Sequence, residues 1–280
     1  MLALLKRNFL LYFRNRSGVF FSLLGALISF VLYIIFLQKN LTDAWAQLPN
    51  SGPVLNNWLM SGTLAVTGIT TSLAALTQLV KDRENQVDQD LYLSDQGKWR
   101  LPFSYLTSAI IISFFMQALM YVLMCGYFRE VPALSLLPEV LLIMLLSSLL
   151  SSLVNAIFVY FFHSVDSLGK FSTIVGTASG FLVGTYVPLG VLPDFAQLLM
   201  KCTPATYIAA LYRQVLMKEA VSETFKGRDD LLREFQEKMG VQLKWQTLLT
   251  KEQTYLIVLG GILLALGIWI SLAKRSSKRK

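Results

Sequence analysis

Long apolar runs constrain this chain more than any other feature of its sequence. A helix needs roughly 20 consecutive apolar residues to cross a bilayer, and six runs of about that length occur among the 280 residues. They are residues 19–37, 59–80, 104–128, 136–162, 171–191 and 255–273. Only 15 % of the residues are charged, whereas soluble domains are about one quarter charged. The pattern predicts an all-α membrane protein with six transmembrane helices in a single domain, residues 1–280.

A seventh apolar stretch, residues 195–217, is interrupted by Lys201, Pro204 and Arg213 and should not span the membrane. Irregular backbone is tolerated at membrane depth only where protein covers it. We therefore expect two short, proline-broken re-entrant helices in the outer leaflet before the last span. They would form the first part of an extracellular segment, residues 192–254.

The second part of that segment, residues 218–253, is polar and predicts a small external cap. Leu231, Phe235 and Met239 recur every four residues, which is typical of one face of an amphipathic helix. We expect this helix to end at Gly240, because glycine commonly follows the last turn of a helix.

Residues 1–17, before the first span, predict a helix that lies in the inner membrane interface. Leu2, Leu5 and Phe9 share one helical face, and Arg7 and Arg14 lie on another. Such a helix places its apolar side in lipid. The alternative is a long cytoplasmic start to the first span.

Basic residues indicate the orientation of the spans, because lysine and arginine are enriched in cytoplasmic loops. With the amino terminus inside, the two short outer loops carry only Lys39 and Arg129, while the inner segments and the tail are rich in basic residues. Both termini are therefore predicted to be cytoplasmic. The net charge of +8 is interpreted as a topology signal and a contact with anionic membrane lipid, not as nucleic-acid binding.

The inner loop, residues 81–103, is longer than a connection between two spans requires. Val87 and Leu91 are four residues apart among acidic and amide side chains, which predicts a short helix that docks on a partner. We expect Gly97 to close this helix and the loop to end at Pro102. The alternative is a solvated connector.

No sequence pattern points to catalysis or to a bound metal or cofactor in this chain. There is no GxxxxGK[ST] phosphate-binding loop and no metalloprotease or hydrolase motif. The spans are nearly free of ionisable residues, which argues against an ion-coupled secondary transporter. Gln117 and Asn155 are neutral and are expected to form interhelical hydrogen bonds. Gly176, Gly180 and Gly184 allow close helix packing, either within the chain or between subunits.

The order of these features resembles the permease subunit of the type-2 ABC exporter family. The most specific stretch is residues 185–216, where the family has a proline after the fifth span, Leu-Pro, Thr-Pro, a tyrosine and then an arginine. The matching residues here are Pro188, Leu192, Pro193, Thr203, Pro204, Tyr207 and Arg213.

A second motif lies in the inner loop, where the family often has Glu-Arg-Glu before a short coupling helix. Arg83 and Glu84 match its last two residues. Asp82 replaces the first glutamate, and Gln86 stands where a glycine is common.

The resemblance implies a division of labour among subunits. Two copies of a separate ABC ATPase subunit, which carry the ATP and Mg²⁺, would bind the inner loops through Arg83, Glu84, Val87 and Leu91. A second permease chain, identical or similar, would complete the pathway in a cell membrane, most simply a bacterial plasma membrane. The outer residues of the family pattern, from Pro188 to Arg213, would form the outer gate.

The resemblance further implies export of an amphipathic substrate such as a drug, a peptide antibiotic or a lipid-linked glycan. The competing hypotheses are an ion-coupled secondary transporter, a non-transporting membrane assembly protein and a membrane enzyme. A P-loop ATPase encoded in an adjacent reading frame would favour the exporter.

Overall fold

A computed structural model describes residues 1–45, 51–93, 97–129 and 133–279, without the side chains of residues 92, 93, 97, 98 and 276–279. This part of the chain is 85 % helical and contains no strand. Its helices are α1 (Leu2–Arg14), α2 (Arg16–Leu32), α3 (Gln38–Ala44), α4 (Ser51–Glu84), α5 (Val87–Leu93), α6 (Gly97–Phe128), α7 (Leu137–Val159), α8 (Val165–Leu182), α9 (Asp194–Lys201), α10 (Pro204–Leu216), α11 (Lys218–Thr224), α12 (Asp229–Lys238) and α13 (Lys251–Arg279). A π-helical turn, Tyr33–Leu37, joins α2 to α3.

Five of the described helical stretches are long and apolar enough to cross a membrane: Arg16–Ala44, Ser51–Glu84, Trp99–Phe128, Leu134–Val159 and Lys251–Arg275. They correspond to five of the six predicted spans. The stretch built on α4 is the most deeply packed: 83 % of its 18-residue apolar segment is buried. The corresponding segments of the stretches built on α2 and α13 are only 22 % buried. The bundle is therefore arranged around α4, with α2 and α13 at its periphery.

The predicted span 171–191 is wrong as a continuous helix. The helix at this position, α8, has 18 residues and ends at Leu182. Gly184 has a φ of +71°, and the amide of Thr185 donates to the carbonyl of Gly180 at 2.8 Å, so the chain turns out of the helix. A left-handed glycine after the last turn commonly ends a helix.

The amino-terminal segment forms a separate helix, as predicted, and Asn15 marks the break between α1 and α2. The Asn15 side chain accepts a hydrogen bond from the amide of Gly18 at 3.1 Å and thereby caps α2. A Cβ on Gly18 would lie 2.5 Å from Asn15 Nδ2, so a larger residue would displace the capping side chain. The location of α1 in the membrane interface stays a prediction.

The outer segment contains two short helices, α9 and α10, where the sequence predicts them. Pro204 occupies the first position of α10, where a missing N–H costs nothing. The predicted amphipathic helix is α12, which is followed by Gly240 with a φ of +64°. Phe235 within α12 and Met239 directly after it are both buried.

The inner loop contains the predicted short helix, α5, but its far end differs from the prediction. Gly97 does not close α5; it is the first residue of α6. Pro102 lies inside α6 instead of ending the loop. Proline removes one backbone donor and crowds the preceding turn, and in the second turn of a 32-residue helix that loss does not terminate it.

Candidate functional site

Three consecutive residues at the inner end of α4 bind three other parts of the chain. The first, Asp82, is only 3 % exposed. Its carboxylate accepts two hydrogen bonds from Arg7 in α1, at 2.7 and 2.9 Å, and one from Gln78 at 2.7 Å. The hydroxyl of Tyr105 in α6 also donates to it. The hydrogen bonds with Asp82 raise the pKa of Arg7 above its ordinary value.

Arg83, the second residue, binds the chain that follows α7. Its Nη1 donates to the carbonyl oxygens of Phe162 at 2.8 Å and Tyr160 at 3.2 Å. The last carbonyls of a helix have no partner within it, and they carry partial negative charge. Arg83 therefore satisfies two carbonyls in the turn that follows α7 and places a positive charge near the negative end of its dipole.

Glu84, the third residue, binds the start of α8. Its Oε2 accepts a hydrogen bond from the amide of Val165 at 3.0 Å. Val165 is the first residue of α8, where free amides and the helix dipole favour an anion. Glu84 and Arg83 together tie the end of α7 and the beginning of α8 to α4. We call residues 82–84 and these partners the inner corner.

The backbone turns at Gln86, the position where the family commonly has glycine. Gln86 has a φ of +61°, a left-handed conformation that favours glycine. Beyond it, Leu91 is half-buried against the apolar cluster that contains Leu101 and Tyr105. Gln89 and Asp90 are exposed on α5. The predicted coupling residues Val87 and Leu91 thus lie on a short helix whose exposed side is open to a partner.

Arg213, near the end of α4 that lies opposite the inner corner, is 1 % exposed. Its guanidinium donates to the carbonyls of Gly184 at 2.8 Å, Val183 at 3.1 Å and Gly240 at 3.1 Å. Its Cζ lies 5.1 Å from the centre of the Trp58 ring in α4, a favourable cation–π distance. One side chain therefore connects α10 to the end of α8, to the cap and to α4.

The other outer residues of the predicted pattern stabilise the ends of short helices. Pro188 and Pro193 directly precede the 3₁₀-helix Leu189–Val191 and α9. Tyr207 donates to the carbonyl of Lys201 at 2.8 Å and accepts from Trp245 Nε1 at 3.1 Å. The carbonyl of Leu192 accepts from Gln197 at 2.9 Å, and Pro204 begins α10. These residues therefore shape the helix ends between α8 and α10, and Arg213 in α10 binds the end of α8.

The predicted interhelical hydrogen bonds of Gln117 and Asn155 are confirmed. Gln117 in α6 donates to Ser148 Oγ of α7 at 2.8 Å and accepts from Tyr212 of α10 at 2.9 Å. Asn155 in α7 donates to Ser72 Oγ of α4 at 2.8 Å. Sequence reasoning identified the two amides but not their partners, because serine and tyrosine in an apolar run carry no signal of which helix they face.

Comparison with known protein families finds a match. The model of a family described as ABC-2 family transporter protein matches residues 37–269. The matched region includes the inner corner from Asp82 to Glu84, the outer segment and most of α13, and it leaves out α1. No curated protein matches the chain.

Proposed function

Because this chain belongs to the ABC-2 transporter family, we propose that it is the permease subunit of an ATP-driven exporter that is energised by a separate ATPase subunit. Members of this family are membrane subunits that usually work with an ABC ATPase. The proposed complex contains two ATPase copies, which supply ATP and Mg²⁺, and a second permease chain.

The observation that carries this proposal is the inner corner. A partner that binds the exposed side of α5 would push on the end of α4. Asp82, Arg83 and Glu84 tie that end to α1, to the end of α7 and to the start of α8 through short polar contacts. A displacement of α4 would therefore move all three elements together. This is the property that a permease needs to convert ATPase closure into a change of the transport pathway.

In this proposal α8 is the fifth of six spans along the chain, and both termini are cytoplasmic. Its 18 residues extend about 27 Å at 1.5 Å per residue, close to the thickness of the hydrocarbon core, about 30 Å. Asp166, Lys170, Thr173 and Thr177 share one exposed face of α8, at the spacing of a single helical stripe. This polar stripe would face the second permease chain or the pathway, since polar groups exposed to lipid are costly.

The proposed substrate is amphipathic, as a drug, a peptide antibiotic or a lipid-linked glycan would be. It would enter from the cytoplasm or the inner leaflet and leave past α9 and α10. Large exposed aromatic side chains support an apolar pathway or lipid contact: Phe20 and Phe21 on α2, and Phe36 in the π-helical turn after it.

Co-purification and ATP hydrolysis test the proposal. The tagged chain is expressed with each P-loop ATPase found in an adjacent reading frame, the complex is purified into nanodiscs, and hydrolysis is compared with that of the ATPase alone. We expect the two proteins to purify together and the permease to alter the hydrolysis rate. Glu84→Gln should retain binding but reduce this effect about fivefold, the low end of common coupling energies.

The matched control is Glu219→Gln, which removes an acidic residue from the first turn of α11 in the cap. It should leave hydrolysis unchanged. If no ATPase travels with the chain, the exporter is excluded. An ion-coupled transporter or an assembly protein would then be favoured. If a complex forms and Glu84→Gln behaves like the wild type in it, the inner corner does not couple the two subunits.

A further inference from the structure

A cavity of about 350 Å³ lies between the cap and the bundle. Its walls come from α10, α11, α12 and Lys251 at the start of α13, together with residues 217, 241, 242 and 250. The volume falls within the range of small-molecule sites, roughly 300–1,000 Å³. It lies at the opposite end of α4 from the inner corner.

The charge lining this cavity is positive. Arg213, Lys218 and Lys251 contribute to its wall, and none of the described lining residues is acidic. Lys251 is paired with Glu139 at 2.8 Å. Arg213 contacts carbonyl groups and the Trp58 ring, and Lys218 is exposed; neither has an acidic partner in the described part of the chain. A buried cation without an anion is unfavourable, so a bound anion would stabilise this region.

Two adjacent residues of the wall also have unused hydrogen-bonding groups. The Nε of Arg213 and the Oε1 of Gln214 are buried atoms that have no partner among the described residues. Buried polar atoms are nearly always hydrogen-bonded in native proteins. The free donor belongs to the buried guanidinium itself, which suits an anionic oxygen.

Polar side chains such as Ser222 and Gln236 also line the wall, but most of its accessible surface is apolar and includes Val221 and Leu232. A purely polar anion would leave these side chains without a partner. We propose that the cavity binds an amphipathic anion, with its carboxylate or phosphate near Arg213 and Lys218 and its apolar chain against Val221 and Leu232. Two sources offer this chemistry, a phospholipid and a small free acid. The site does not depend on the exporter proposal, because binding needs no ATPase.

Equilibrium dialysis of radiolabelled decanoate against the purified chain in a non-ionic detergent tests the site. We expect decanoate to bind more tightly than decanol, which has the same chain without the charge. Lys218→Gln should weaken decanoate binding about tenfold, equivalent to about 1.4 kcal/mol, and leave decanol binding unchanged. Lys226→Gln is the matched control, because Lys226 is exposed in the turn after α11 and does not line the cavity. It should have little effect.

Competition with phosphatidylglycerol separates the two sources. Displacement of decanoate by this lipid, and not by phosphatidylcholine, identifies a lipid ligand, while no displacement by either identifies a free acid; both results support the site. Equal binding of decanoate and decanol would overturn it. Equal losses in the Lys218 and Lys226 variants would do the same, since they would indicate non-specific attraction to surface charge.

Discussion

At the scale of single residues, helix geometry explains how three neighbours reach three elements. Successive residues of an α-helix are rotated by about 100°, since there are 3.6 residues per turn. Asp82, Arg83 and Glu84 therefore leave α4 in three directions, and each direction holds a partner of the right charge or dipole. The aspartate that departs from the family pattern is the buried member of the three. Its carboxylate is surrounded by hydrogen-bond donors from Arg7, Gln78 and Tyr105.

The pair Arg7–Asp82 should contribute measurably to stability, because Asp82 is buried and receives a bidentate guanidinium. Removing one partner of a buried pair costs roughly 3–5 kcal/mol. The Arg7 side chain is 30 % exposed, so we expect a loss of about 2 kcal/mol for Asp82→Asn, with a coupling energy near 1 kcal/mol in a cycle with Arg7→Gln. Denaturant unfolding in detergent measures both values.

The control for this pair is Asp166→Asn on α8. Asp166 pairs with Lys170 at 2.7 Å, but both side chains are about three-quarters exposed, and such surface pairs contribute little. Losses of equal size in the two aspartate variants would contradict the assigned role of Asp82.

At the scale of elements, the length of the apolar runs predicts most of the long helices. It does not predict where α8 ends or which distant residues contact one another. The helices α2, α4, α6, α7 and α13 coincide with predicted spans because their apolar runs are long. The end of α8 could not be read from apolar length, because the residues that follow it stay apolar. Gly184 turns the chain there, and Arg213, thirty and twenty-nine residues later, binds the carbonyls of Val183 and Gly184. Likewise, the partners of Arg83 and Glu84 lie some eighty residues away, and no local pattern indicates them.

Gly176 and Gly180 of α8 differ in whether they allow close packing within the chain. A Cβ on Gly180 would lie 2.2 Å from the Tyr186 ring, whereas a Cβ on Gly176 would meet nothing within 4 Å. Tyr186 is buried, and its ring packs edge-on against Phe181 at 4.9 Å. Gly180 therefore serves packing within the chain, at the turn that ends α8.

Gly180→Ala should destabilise the protein by about 1–3 kcal/mol, as overpacking does in a filled core. Gly176→Ala should be neutral or stabilising by up to about 1 kcal/mol, because alanine is the better helix former. Thermal unfolding of the purified chain compares the two. Equal losses of stability in the two variants would contradict the assigned packing of Gly180 against Tyr186.

At the scale of the whole molecule, α4 links the inner corner to the outer segment. From Trp58 to Asp82 the helix rises about 36 Å at 1.5 Å per residue, enough to cross the hydrocarbon core. At the outer end, Trp58 Nε1 donates to the carbonyl of Met239 at 2.7 Å, and the Trp58 ring lies against Arg213. A single buried helix thus contacts the coupling region, the proposed gate and the cap. A displacement of one end of α4 should therefore displace the contacts at the other end.

This arrangement requires the two ends of α4 to face opposite sides of the membrane, which the two cysteines make testable. Cys202 is exposed at the end of α9, on the proposed outer side, and Cys125 is half-buried. In intact bacterial cells, a membrane-impermeant maleimide should label the wild type and Cys125→Ser but not Cys202→Ser. Adding Lys274→Cys near the end of α13 to Cys202→Ser should restore labelling only after permeabilisation, because that end is proposed to be cytoplasmic. Labelling of Lys274→Cys in intact cells, with Cys202 protected until permeabilisation, would reverse the orientation and place the inner corner out of reach of any ATPase.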